Sequence, residues 1–439
     1  MMQKTVYKIL FLLLLQLSVL AQADTQWFEE ARFGLFIHWG LYAIPGGVWQ
    51  GEPVHDDRYI NPYAEHVMHL NKIPIKTYAG LAKDFNPVNW DATQMVKMAK
   101  AAGMKYVVLT AKHHDGFAMF DSQVSDFSIV KSTPYQKDVA KQLAEACAVA
   151  GIKMCFYYSL GRDWEQPNAV GRPHMYNDWD FNNHDLATYQ TYLNQKVKPQ
   201  LKELLTQYGP VGMIWFDSPE LTSAEQSREI YDWVKKWQPE CLVNTRVGNK
   251  IGDIKEMGDN QIPREDVGLP WQTPGTMAES WGYSLLDSEP YWKSGKELIF
   301  KLVEIAAKGG NYLLNVGPDA SGDLPDLATE RLEILANWMQ TNGEAIHGTT
   351  PYKLPKNEYR GYFTQNDKAI YVHLTEVAES GYFTMYIDPK VLKRAVLLTP
   401  KGEVPLKFTP SFGKGILVTL PPSLPFTSIN VLKLYKADS

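Results

Sequence analysis

The segment "GPVGMIWFDSPE" (residues 209–220) runs apolar from Val211 to Phe216 and then stops on Asp217. The run reads as a buried strand. A carboxylate at its end is costly unless something pairs with it or needs it. "DSPE" is also ordinary turn chemistry, in which an aspartate simply caps the next turn. The neighbouring segments decide between these readings, and they decide the fold as well.

Working outward, "RFGLFIHWG" (32–40), "KYVVLTAKHHDG" (105–116), "IKMCFYYSL" (152–160), "CLVNTRVG" (241–248) and "NYLLNVGP" (311–318) are strands of the same short apolar kind. Between them, "DATQMVKMAKAAG" (91–103), "DVAKQLAEACAVAG" (138–151) and "KELIFKLVEIAAKGG" (296–310) carry helical periodicity and end on glycine. Strand–helix alternation from about residue 30 to 345 predicts a parallel sheet with crossover helices. The number of strands favours a (β/α)8 TIM-like barrel over an open, doubly wound sheet. Polar residues gather at the C-terminal end of strand after strand: His38, His113, His114, Tyr158, Asp217 and Arg246. Barrel enzymes assemble their sites at that end, from several strands at once. Asp217 is therefore read as a site residue, not as a turn.

After about residue 350 the texture changes. "KAIYVHLTE" (368–376), "GYFTMYID" (381–388), "GILVTLP" (415–421) and "SINVLKLYK" (428–436) are short, β-branched or aromatic, and separated by turn residues. They predict a C-terminal β-sandwich. The expected division is a signal peptide over 1–23, a catalytic barrel over 24–348 and a sandwich domain over 349–439. Such a split suits a chain of 439 residues, more than one core usually holds.

Composition narrows the function. Hydrophobic residues make up 45% and charged ones 21%, as in ordinary globular proteins. The net charge of −5, with no run of Lys or Arg, argues against nucleic acid as a partner. Lys4 and Lys8 precede "ILFLLLLQLSVL" (9–20), and "AQA" (21–23) offers small residues for cleavage near Ala23. That is an export signal, so a periplasmic or secreted protein is expected. The apolar stretch is short for a membrane span, and none is expected. Three cysteines, Cys147, Cys155 and Cys241, are too few and too odd for a disulfide framework and lack zinc-site spacing.

Trp215 and Asp217 lie two apart on one strand and so face the same side. An indole beside a carboxylate suits a ring-shaped polyol attacked at an electron-poor carbon. His113 and His114 point opposite ways on an ideal strand, unless the strand has already ended there. A metal site built from His38, one of that pair and Asp217 is a rival, weakened by the lack of an HxH or HExxH spacing. No cofactor is expected.

Six motifs in order then become recognisable: "WFEEARFGLFIHWG" (27–40), "GMKYVVLTAKHHDGFAMFDS" (103–122), "FYYS…DW" (156–164), "GPVGMIWFD" (209–217), "GDNQIP" (258–263) and "KGGNYLLNVGP" (308–318). Together they resemble glycoside hydrolase family 29, the retaining α-L-fucosidases, from about Trp27 to His347. The resemblance implies a barrel followed by a β-sandwich, and a fucosylated glycan or glycoside as the carbohydrate partner. It places Asp217 as the nucleophile, with Arg246 as the first cation expected to keep it ionised. His38, His113 and His114 would line the subsite for fucose hydroxyls, with Tyr158 and Trp215 alongside and Trp49 and Trp281 as aromatic walls. Glu65 and His66 fall where relatives carry a Glu–Trp pair.

The general acid/base is where this chain departs from the pattern. A retaining glycosidase needs a second carboxyl roughly 5–5.5 Å from the nucleophile. The family pattern points to "GDNEIP" or "WETP", and here those positions are Gln261 and Gln272. A glutamine can hydrogen-bond a glycosidic oxygen but cannot protonate it. Asp259, Glu265 and Glu279 are within range along the chain, each in a setting where a loop carboxylate is ordinarily just solvated. Two readings stay open: an exo-glycosidase weak on unactivated substrates, or a sugar-binding protein on a catalytically impaired barrel.

Overall fold

The computed structural model describes residues 24–55, 63–171, 175–181, 186–265, 267–354, 361–376, 381–411 and 415–437. The expected signal peptide, 1–23, lies outside the described residues. Among them, no helix is long and apolar enough to cross a membrane.

Eight strands form one parallel sheet: β1 (Phe33–Ile37), β2 (Tyr106–Lys112), β3 (Lys153–Ser159), β4 (Val211–Asp217), β5 (Leu242–Val243), β6 (Lys255–Glu256), β7 (Trp271–Thr276) and β8 (Asn311–Val316). Each pairs with its neighbour in sequence, and β1 pairs with β8. A parallel bridge between Asn244 and Ile254 joins β5 to β6 and closes the barrel. The strands are buried on both faces, which is why they read as continuous apolar runs. Phe36, Val108, Tyr157, Met213, Trp215 and Leu313 fill the interior. Alternate residues such as Leu35, Leu109, Phe156, Tyr158 and Phe216 pack outward against the helices.

The helices start and stop where local chemistry allows. The helix α1 (Ala92–Ala101) begins on Asp91, whose side chain accepts from the Gln94 N–H. Next, α2 (Val139–Ala150) begins on Asp138 in the same way and ends on Gly151, whose φ of 70° suits a residue without Cβ. Outer helices α3 (Lys198–Gln207), α4 (Ala224–Trp237) and α5 (Gly295–Ala307) follow, the last two opening on Ser–Gln and Ser–Glu capping boxes.

Gly34 illustrates how tightly the barrel base is filled. A Cβ there would sit 2.3 Å from the Tyr106 ring, which is hemmed in by Trp27 and Phe28 and bonded to Gln272. Gly34→Ala should therefore destabilise by about 1–3 kcal/mol, at the upper end for overpacking, and lower the thermal midpoint. An unchanged midpoint would show that the ring can move aside.

Beyond α6 (Asp326–Asn342), nine antiparallel strands follow among the described residues: β9 (Thr350–Pro351), β10 (Gly361–Gln365), β11 (Ala369–Leu374), β12 (Tyr382–Met385), β13 (Leu392–Thr399), β14 (Gly402–Leu406), β15 (Phe408–Ser411), β16 (Gly415–Thr419) and β17 (Asn430–Lys436). They form a six-stranded sheet, β9-β10-β11-β17-β13-β14, and a three-stranded sheet, β12-β16-β15. Ile370, Val372 and Leu374 of β11 face Phe383 and Val418 of the smaller sheet. The alternate residues Ala369 and Tyr371 join the core shared with the barrel helices. Trp338 of α6 ties the two layers by donating to the Ile429 carbonyl (2.7 Å).

Candidate active site

A pocket of about 220 Å³ opens at the C-terminal end of the barrel strands. That is below the usual ~300–1,000 Å³ of drug-sized sites and suits one monosaccharide. Asp217, last residue of β4, is among the residues that line it. Burial alone would raise its pKa, but the Arg246 and Arg162 guanidiniums and the Tyr157 hydroxyl outweigh that and hold it below the usual carboxylate range. Arg246 Nη1 donates to Asp217 Oδ1 (3.0 Å), and the Tyr157 hydroxyl donates to Oδ2 (2.9 Å). Arg246 also lies over the Trp215 ring, 4.8 Å from its centroid. Asp217 is thus an ionised carboxylate whose cost of burial is offset by fixed donors.

His38, His113 and His114 line the same pocket. Strand β2 ends at Lys112, so His113 and His114 no longer alternate, and both rings reach the cavity with centroids 4.2 Å apart. Burial holds all three imidazoles in the neutral form, His38 down to about 3. The hydrogen bonds assign tautomers. Asn315 donates through Nδ2 to the Trp281 carbonyl, so its Oδ1 accepts from His38 Nδ1 (2.6 Å). Ser159 Oγ donates to the Arg162 carbonyl and accepts from His114 Nδ1 (2.6 Å). Each ring thereby keeps Nε2 as an acceptor. His114 Nε2 is 3.7 Å from Asp217 Oδ2, beyond bonding distance and open to a ligand hydroxyl.

Glu65, 1% exposed, completes the floor, its Oε2 accepting from Ser280 Oγ (3.1 Å) and the Gly282 N–H (3.0 Å). Burial pushes its pKa up to about 7 against those bonds. His66 lines the pocket above it, and Trp281 forms one wall.

Several expected residues stand elsewhere. Tyr158 points out of the barrel, where its hydroxyl donates to Gln200 (2.7 Å). Tyr157 takes its place, because β3 and β4 pair Tyr157 with Trp215 and Tyr158 with the outward Phe216. Trp49 lies on a short hairpin (Val48–Trp49 with Glu52–Pro53) and packs half-buried against the core, away from the pocket lining. The two glutamines are also outside the pocket lining. Gln261 is exposed. Gln272 is fully buried inside the barrel, where Oε1 accepts from Trp215 Nε1 (2.9 Å) and Nε2 bonds the Tyr106 hydroxyl. Gln272 therefore orients the indole from beneath. Glu265 and Glu279 are exposed and do not line the pocket either.

The second carboxylate at the rim is Asp259. Arg246 Nη2 donates to its Oδ1 (3.0 Å) while Nη1 holds Asp217. One planar guanidinium thus bridges two carboxylates across the mouth. Sequence reasoning placed Asp259 within range of the acid/base role, beside Glu265 and Glu279, but weighed a solvated loop carboxylate above it, and it did not anticipate Tyr157, Arg162 or Met175. The strand period of two was the available signal for Tyr157.

The family model for alpha-L-fucosidase matches residues 17–344. The chain belongs to the alpha-L-fucosidase family. Rat tissue alpha-L-fucosidase is 31% identical over 440 residues, covering 94% of this chain and 90% of that protein. The fold of an alpha-L-fucosidase from Vibrio sp. strain EJY3 matches with a TM-score of 0.85 at 32% identity, over 95% of this chain and 74% of that one. An alpha-L-fucosidase of Lactobacillus casei, solved with alpha-L-fucose product, is 39% identical with a TM-score of 0.67, over 72% of this chain and 99% of that one. The protein is accordingly a glycoside hydrolase with a carbohydrate substrate. Among the described residues, no three His, Cys, Asp or Glu side chains converge in a group able to hold a metal ion.

Within this family site, Tyr157→Phe removes a donor that lowers the Asp217 pKa. The acid limb of the kcat/KM profile should therefore move to higher pH. Activity at neutral pH should fall about 10–100-fold, the worth of a hydrogen bond to a charged group. An unmoved acid limb would separate Tyr157 from the ionisation of Asp217.

Proposed function

We propose that this protein is a retaining exo-α-L-fucosidase in which Asp217 is the nucleophile and Asp259 the general acid/base. The observation that carries this reading is the Arg246 fork holding both carboxylates at the pocket mouth. In the first step an Asp217 oxygen bonds the anomeric carbon as the glycosidic C–O bond breaks, and Asp259 passes its proton to the departing oxygen. In the second, Asp259 takes a proton from water, the water oxygen bonds the anomeric carbon, and Asp217 leaves.

Glu65 is the other carboxyl in the cavity, but it is sealed in the floor and tied to Ser280 and Gly282. It suits a sugar hydroxyl there. Asp259 is half-buried at the rim, where both the leaving group and water can reach it. Because Gln261 and Gln272 lie outside the pocket, they give no reason to read the barrel as impaired.

The direct test is hydrolysis of 4-nitrophenyl α-L-fucopyranoside followed by NMR. The reading expects α-L-fucose as the first product. First release of the β-anomer, or no hydrolysis, would overturn it.

A further inference from the structure

The pocket has two levels. His38, Glu65, His113, Tyr157 and Trp215 form a buried floor, whereas Asp217, Arg246 and Asp259 are half-buried at the rim. An exo-acting pocket takes the terminal sugar on its floor, so the group attached to that sugar passes over the rim. Arg162 belongs to this rim.

Arg162 follows β3, and it is held from one side only. Its Nε donates to Glu220 Oε1 (2.7 Å) and its Nη2 forms an ion pair with the same oxygen (2.7 Å), with the Glu220 side chain 2% exposed. Its Nη1 has no partner among the described residues. The clamp is built by an unusual turn. Ser218 and Glu220, either side of Pro219, have φ of +49° and +48°, a conformation that residues with side chains avoid. Two backbone bonds lock the turn to the loop carrying Arg162: Leu160 N–H to the Asp217 carbonyl (2.9 Å) and Gly161 N–H to the Ser218 carbonyl (2.8 Å). Gly161 permits that approach, since a Cβ there would lie 2.7 Å from the Ser218 oxygen. Strained backbone of this kind gathers where a side chain must be held in place for function. Asp217 already has direct donors in Arg246 and Tyr157, so the open Nη1 of Arg162 is available to the substrate.

We propose that Arg162, clamped by Glu220, determines leaving-group specificity: Nη1 donates a charge-assisted hydrogen bond to an acceptor oxygen of the sugar attached to fucose. The enzyme would then favour oxygen-rich sugar leaving groups over bare aryl ones. This inference rests on the α-L-fucosidase reading.

The test compares kcat/KM for the best of a panel of α-1,2-, 1,3-, 1,4- and 1,6-linked fucosyl disaccharides with that for 4-nitrophenyl α-L-fucopyranoside. In Arg162→Lys, which keeps the charge but not the fork, the disaccharide-to-aryl ratio should fall about tenfold or more. In Glu220→Gln, which unclamps the guanidinium, it should fall part-way. A disaccharide lacking one oxygen on the leaving sugar should lose rate in the native enzyme, and lose less in Arg162→Lys. This measurement on the native enzyme decides the matter if a variant fails to fold. A ratio unmoved in Arg162→Lys, with no deoxygenated substrate disfavoured by the native enzyme, would overturn the proposal while leaving the fucosidase reading intact. So would cleavage of the aryl fucoside alone. Hydrolysis of neither substrate class would fell both.

Discussion

Asp217→Asn should abolish hydrolysis while the protein folds and still binds fucose. Strand β4 is buried from Val211 to Phe216, and the amide is nearly isosteric with the carboxylate, so packing around Trp215 and Phe216 is kept. What is lost is the carboxylate charge and, on the proposed mechanism, the attacking oxygen. The Arg246 Nη1 and Tyr157 hydroxyl donors are left facing a neutral side chain. Removal of a residue that forms the covalent intermediate costs about 10⁴–10⁶-fold in kcat. Two further measurements make the assignment specific. A fluorinated fucosyl donor with a good leaving group should label Asp217 in the native enzyme. Asp217→Gly supplied with azide should convert an α-fucoside to the β-fucosyl azide, with the anion entering where the carboxylate stood. Labelling at any other carboxylate would sink the assignment.

Asp259→Ala should give the opposite stereochemical signature. With Asp217 in place the glycosyl ester still forms from substrates whose leaving group needs no proton. The loss should therefore be steep in leaving-group pKa: about 10²–10⁴-fold on fucosyl disaccharides, the usual worth of general acid catalysis, and much less in the first step on aryl fucosides. Azide, which needs no base, should speed turnover of the ester and yield the α-fucosyl azide, retained by double displacement. Arg246 also loses one of its two carboxylates in this variant, so substrate affinity will shift with it. Azide rescue is the readout that such a structural effect would not produce. Equal losses on aryl and sugar substrates without rescue would remove Asp259 from the acid/base role and return attention to Glu65.

Much of this site is local in origin. The run 211–217 is a strand because it is apolar and short, and Asp217 ends it because the next residues turn. Parallel strands in a closed barrel all present their C-terminal ends to one face, so a polar residue just past each strand becomes a site residue. His38, His113, His114, Asp217 and Arg246 could be read that way, and so could the change to antiparallel strands near residue 350. The tertiary structure alone decided what depends on register and on distance across the mouth. Tyr157 and Tyr158 are adjacent and chemically identical, and only the pairing of β3 with β4 turns one inward to Asp217 and the other outward to Gln200. Strands β5 and β6 are two residues each, too short for any periodicity to aim the loops that follow. Separation along the chain consequently could not tell Asp259 from Gln261 or Gln272. Arg246 does so in the folded barrel, because its two outer nitrogens reach side chains that the sequence places 42 positions apart.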